Sequence, residues 1–143
     1  GARLVASLWN YDELHNLSGE VTGPNATFRL NESNSVVPNV AYVTATRIAT
    51  LIPDTIIYPF APDLIVKFKS QLVGEFRIAE RVPLYLSAGA QLIWIVDLDA
   101  QSVIVYRMGG SRLEVKGEGE LDGYDVLPGL KLRLSELFDE IGA

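Results

Sequence analysis

Residues 61–71 read APDLIVKFKSQ, and the placement of this stretch decides the fold. Asp63, Leu64, Ile65 and Val66 open like a buried β-strand, a short apolar run that follows a proline. Lys67 and Lys69 then break the apolar run. Side chains alternate along a strand with period two, so Asp63, Ile65, Lys67 and Lys69 fall on one face. Two ammonium groups in line with an aspartate need a reason. One is an edge strand whose lysines guard against aggregation, with Asp63 a strand-opening turn residue. The other is a strand whose end lines a polar cleft.

Working outward, NVAYVTA at 39–45 reads as a strand opened by Pro38, and an irregular connection, LIPDTIIYPFAP, leads from it to Asp63. Downstream, Phe76, Ala79, Val82 and Leu86 keep helical spacing over 75–88, and Gly89 suits the position just past a helix end. Pro83 either kinks that helix or sits in the first turn of one starting near Arg81. QLIWIVDL, a turn holding DAQ, and SVIVYRM then predict a hairpin. RLEVKG follows the Gly109-Gly110 turn as a further strand.

At the start, Leu4, Val5, Leu8 and Trp9 trace an amphipathic helix over 2–15. EVTG and ATFRL read as two short strands joined by the Gly23-Pro24-Asn25 turn, and NESNS as a polar loop. At the end, Leu130, Leu132 and Leu134 alternate before a last helical turn capped by Ser135. These elements predict one domain over 1–143, of α/β or α+β class, with helices packed on a central sheet.

Composition narrows the function. The 48% apolar content supports a core and argues against disorder. The longest apolar runs, such as LIWIV at 92–96, are too short to cross a membrane, and no signal peptide is visible at the start. With no cysteine there is no disulfide and no thiolate zinc site; this suits the cytoplasm, where the chain is expected to reside. The single histidine, His15, excludes a multi-histidine metal centre and reads as a surface residue. A net charge of −6 and a pI near 4.7 weigh against a general nucleic-acid binder. The charge is uneven, however. Lys67, Lys69, Arg77 and Arg81 stand against Glu75 and Glu80, while 114–140 is mostly acidic.

Three segments taken together, VPNVAYV at 37–43, APDLIVKFKS at 61–70 and ERVPLYLSAGAQLIWIVD at 80–97, resemble the large bacterial family of putative restriction endonucleases with the PD-(D/E)xK nuclease fold. The closing LPGLKLRLSELF resembles that family's C-terminal end. The resemblance implies a restriction-endonuclease-like mixed sheet flanked by helices, with an added antiparallel hairpin region. It implies a Mg²⁺-dependent hydrolase acting on DNA; a homodimer is a further expectation. The family usually carries more chain before the first helix, a piece absent from this sequence. The start at Gly1 suggests a trimmed chain.

The same resemblance places the site. The family's aspartate after a proline falls at Asn39, and its second aspartate, in PDL, matches Asp63 as the expected metal ligand. The usual glutamate four residues on falls at Lys67, and the lysine of the following helix falls at Arg81. Lys69 stands where the lysine of a D…xK pattern would lie. Asp63 alone matches; Asn39, Lys67 and Arg81 depart from the pattern. Such nucleases hold Mg²⁺ on carboxylates of adjacent strands, and the metal generates hydroxide and stabilises charge on the phosphate. An ammonium in a carboxylate slot opposes this. Two unit charges about 5 Å apart at an effective dielectric near 20 interact by roughly 3 kcal/mol, and a divalent ion meets about twice that in repulsion.

Three functions fit these residues. The first is a catalytically impaired relative of the nucleases that keeps the fold for binding or assembly, with weak or absent Mg²⁺ affinity. The second is a working endonuclease with a relocated site built on Asp63, Lys69 and a carboxylate such as Glu20 or Glu75. The third is an interaction module with no nucleic-acid role. The first and second expect Asn39, Asp63 and Lys67 at one end of the sheet, with Lys69 nearby and Arg81 on the adjoining helix.

Overall fold

The computed structural model describes residues 1–70 and 78–140. Helix α1 (Ala2–Leu14) is followed by β1 (Glu20–Thr22), β2 (Phe28–Arg29), β3 (Ser35–Val36), β4 (Val40–Val43), the short helix α2 (Ala45–Ile48) and β5 (Leu64–Lys69). A 3-10 turn (Ala79–Arg81) runs into α3 (Val82–Ser87). The chain closes with β6 (Leu92–Asp97), β7 (Ser102–Arg107), β8 (Arg112–Val115), β9 (Glu120–Asp122), β10 (Lys131–Arg133) and α4 (Leu134–Glu140).

Six strands form the central sheet in the order β1-β4-β5-β6-β7-β8. Only β5 and β6 are parallel; every other neighbour pair in it is antiparallel. A parallel pair needs a crossover, and the connection holding α3 supplies it. Strand β5 is therefore central and not an edge, flanked by β4 on one side and β6 on the other. Lys67 and Lys69 cannot be edge guards.

Period two divides the sheet into two apolar faces. Val40, Tyr42, Leu64, Val66, Leu92, Trp94, Val103 and Val105 pack with Leu4 and Leu8 of α1 and with Leu137 and Phe138 of α4. Ala41, Val43, Ile65, Ile93 and Ile95 pack on the other side with Ile78, Val82 and Tyr85 around α3. Burial on both faces explains why β5 and β6 read as continuous apolar runs and not as alternating ones. It also isolates the departure: Lys67 and Lys69 leave the α3 face just where β5 runs out of the core.

The hairpin of β6 and β7 forms as expected, with Asp97 paired to Ser102. Pro83 sits in the first turn of α3, where its missing N–H is not needed, and Gly89 follows the helix at φ +107°. Several expectations are corrected. EVTG and ATFRL do not form a hairpin: β1 pairs with β4, and β2 pairs with β3 across the NESNS loop. Thr44 leaves the predicted strand and precedes α2. Ser135 lies inside α4, because β10 runs directly into that helix and the Leu134 N–H bonds the Gly119 carbonyl. Strand β9 was missed; its three residues are too few to show a period. Phe76 and the first residues of the predicted 75–88 helix lie outside the described residues, as do Glu75 and Arg77.

Candidate functional site

The antiparallel register of β4 and β5 sets the site. Val40 pairs with Val66 and Tyr42 with Leu64. Just before this register begins, Asn39 lies beside Lys67: its backbone N–H bonds the Val66 carbonyl at 3.0 Å and its side-chain oxygen reaches the Phe68 N–H. At the other end, Asp63 stands one residue before Leu64, where its side chain meets Thr44 just past β4. Asn39 and Lys67 thus meet, but Asp63 is four residues away along β5, about 13 Å at the rise of a strand. The expected gathering of Asn39, Asp63 and Lys67 at one end does not occur. Asp63 and Lys69 bracket β5 from opposite ends, which separates the two residues of the relocated site.

The end with Asn39 is polar and basic. The Asn39 side-chain oxygen accepts the Phe68 N–H at 2.9 Å, completing the ladder where β4 begins. Lys67 is half-buried and carries no ion pair among the described residues. Lys69 lies beside Asp97 in the parallel register, their charged atoms 3.9 Å apart. Asp97 also closes the β6–β7 turn, its Oδ1 accepting the Asp99 and Ala100 N–H groups at 3.0 and 2.9 Å. Arg81 is exposed at the end of the 3-10 turn, next to Val82 of the cluster that packs on Ile65 and Ile95.

The end with Asp63 has a different character. Asp63 is completely buried. Its Oδ2 accepts the Thr44 N–H at 2.7 Å, and its Oδ1 accepts the Gln91 Nε2 at 2.7 Å. The Arg47 Nε stands 3.2 Å from Oδ1. The rest of the Arg47 fork is also used: Nη1 donates to the Ala61 carbonyl at 2.7 Å and Nη2 to the Gly89 carbonyl at 2.5 Å. The group ties α2, the entry to β5 and the entry to β6 together. Nearby Tyr42 is buried and donates to Asp12 Oδ1 at 2.5 Å. Burial first, then that bond and the charges of Asp12 and Asp63, push its phenol well above the ordinary tyrosine range. Glu20, the described carboxylate considered for a relocated site, sits on β1 and accepts the Tyr58 hydroxyl. Burial, with that bond second, pushes the Tyr58 phenol up to about 12.

The sequence reading missed Thr44, Arg47 and Gln91. Arg47 had no signal, being one cation in an unremarkable ATRIAT. Gln91 had one: pairing strand 64–69 in parallel with 92–97 sets residue 91 beside residue 63 and Asp97 beside Lys69. His15 is exposed and stacks on Tyr11 at 4.0 Å.

Comparison with known proteins agrees with the fold. The family model Uma2, described as "Putative restriction endonuclease", matches residues 1–135. A crystal structure of a putative nuclease belonging to DUF820 from Anabaena variabilis superposes with a TM-score of 0.81 at 20% identity, over 98% of this chain and 78% of that one. No curated protein matches. No helix among the described residues is long and apolar enough to cross a membrane. A family model that spans the sheet, both helical faces and the Asn39–Lys67 end places the chain in the Uma2 family of putative restriction endonucleases.

Proposed function

We propose that this chain keeps the nuclease-like fold but binds DNA without hydrolysing it. One observation carries the reading: Asn39 brackets Lys67 where β4 begins, bonding the Val66 carbonyl through its N–H and the Phe68 N–H through its side-chain oxygen. The donor set there does not fit Mg²⁺, which requires oxygen ligands in near-octahedral array. The Asn39 oxygen is engaged by Phe68, Lys67 contributes a cation, and Asp97 has Lys69 beside it. Asp63, the one acidic residue that matches the family pattern, lies about 13 Å along the strand with both oxygens occupied. Among the described residues no three acidic or histidine side chains come together as a metal group.

What remains is a cationic end. Lys67 and Lys69 extend from one face of β5, with Arg81 near the helix on that same side. Phosphate is the ligand that such cations recognise without a metal. The overall charge of −6 sets the expectation for affinity: binding limited to this patch, weak and steeply dependent on salt. With two or three phosphate contacts, the logarithm of the binding constant should fall against the logarithm of salt with a slope of about −2 to −3. The test pairs two assays. Purified protein with Mg²⁺ or Mn²⁺ should leave DNA intact, while binding at low salt should be measurable and lost in Lys67→Ala/Lys69→Ala. Reproducible metal-dependent cleavage, or binding that ignores the two lysines, would overturn the proposal.

A further inference from the structure

Strand β8 ends the central sheet, and among the described residues no strand pairs with its outer edge. Arg112, Leu113 and Glu114 of that strand are all exposed. The register with β7 fixes what the edge presents. Arg112 stands opposite Tyr106, Leu113 opposite Val105 and Glu114 opposite Ile104. At the turn, the Arg107 N–H bonds the Ser111 carbonyl at 3.1 Å, so Ser111, Leu113 and Val115 turn their backbone groups toward β7. Arg112 and Glu114 therefore hold their N–H and C=O groups outward. We infer that this edge pairs with the same edge of a second copy of the chain, antiparallel and about a two-fold axis at Leu113. The inference is independent of the DNA-binding reading.

Self-complementarity selects both the occupant and the register. An unpaired strand edge is a template for another strand, and natural edges often block it with lysine, proline or a bulge. Arg112–Val115 contains neither lysine nor proline, and its pairing with β7 is unbroken. In a two-fold pairing, the outward residues of one copy must meet outward residues of the other. The axis can then pass through Arg112, Leu113 or Glu114. Through Arg112 it sets arginine against arginine, and through Glu114 glutamate against glutamate, both unfavourable across a strand pair. Through Leu113 it sets Arg112 against the second copy's Glu114, and Glu114 against the second copy's Arg112. Both opposite-charge pairs lie on the face of Tyr106 and Ile104. On the other face the two Leu113 side chains meet and cover each other, in the pair without hydrogen bonds, where facing side chains come closest.

The contact is one short strand from each copy, well below the roughly 20–30 residues a side of a stable interface. The dimer is accordingly weak, with a dissociation constant on the order of 10–100 μM.

The experiment is analytical ultracentrifugation of the full chain at low salt, across that range and tenfold beyond it. The average mass of wild type should rise from one copy toward two. Arg112→Glu and Glu114→Arg each set like charges opposite one another twice, and each should weaken self-association about tenfold or more. Both residues are exposed and face uncharged partners on β7, so the fold should hold, as urea midpoints near wild type would show. Mixed one to one, the two variants should associate with each other as tightly as wild type does with itself, because their charges complement across the axis. The chain has no cysteine, so Leu113→Cys adds a single thiol, and mild oxidation should link two copies through it. Met108→Cys, at a position equally exposed at 53%, lies off the axis and should not link. A chain that stays monomeric throughout, self-association unmoved by either charge reversal, or equal linking through both thiols would overturn the inference.

Discussion

Replacing Asp63 by alanine removes a buried carboxylate from three donors at once. The Thr44 N–H, the Gln91 amide and the Arg47 guanidinium would each lose their acceptor, at 2.7, 2.7 and 3.2 Å. Breaking a buried charge pair from one side costs about 3–5 kcal/mol, because the remaining charge stays desolvated. Arg47 is not fully buried, its side chain 24% exposed, and it keeps two backbone carbonyls. That relief places the expected loss near the lower limit, about 3 kcal/mol. For a domain with a urea m-value of about 2 kcal/mol/M, the midpoint should fall by roughly 1.5 M with m unchanged. Asp63→Asn keeps one oxygen for Thr44 but turns an amide toward other donors, so it should lose about 2 kcal/mol. The measurement is equilibrium urea unfolding of the three proteins, each with and without millimolar Mn²⁺. An Asp63→Ala protein as stable as wild type would refute a structural role. A Mn²⁺ stabilisation of wild type that vanishes in Asp63→Ala would return Asp63 to a metal site.

Two further outcomes follow from the same geometry. Asn39→Asp with Lys67→Glu changes the local charge by −3 and sets two carboxylates beside each other at the start of β4. Without metal the double variant should melt below wild type, and millimolar Mn²⁺ should raise its melting temperature by binding the folded state only, whereas wild type should respond little; equal responses would mean that the two positions share no site. Tyr42 predicts an alkaline limb. Its folded phenol keeps the proton above the ordinary 10.0, so the unfolded chain releases it first; stability is full below about pH 10 and falls as pH rises beyond it. Tyr58, raised to about 12, adds the same sign. Urea midpoints taken across that range should fall less steeply in Tyr42→Phe, and an undiminished slope there would remove Tyr42 as a cause.

The sequence by itself determined the class of fold and most of its central sheet. Strands β4, β5, β6 and β7 and the α3 helix were legible because each carries a long apolar run or a clear period, bounded by Pro38, Pro62, Gly89 or a turn. The family resemblance added which positions to compare, and period two puts Lys67 and Lys69 on one face of β5, with Asp63 just before its first residue. Sequence could not say how far along that face two residues stand from a third on another strand. That is a matter of register, and only the tertiary structure decided it: β4 runs antiparallel to β5, so Asn39 at its start bonds Val66 and Phe68 on either side of Lys67, while Asp63 meets Thr44 past its other end. The donors around Asp63 were equally hidden, because Thr44, Arg47 and Gln91 come from three separate stretches of chain that become neighbours only when α2 and the entries to β5 and β6 converge. A buried carboxylate is ligand or strut according to what surrounds it, and the surroundings here are long-range contacts that no local pattern encodes.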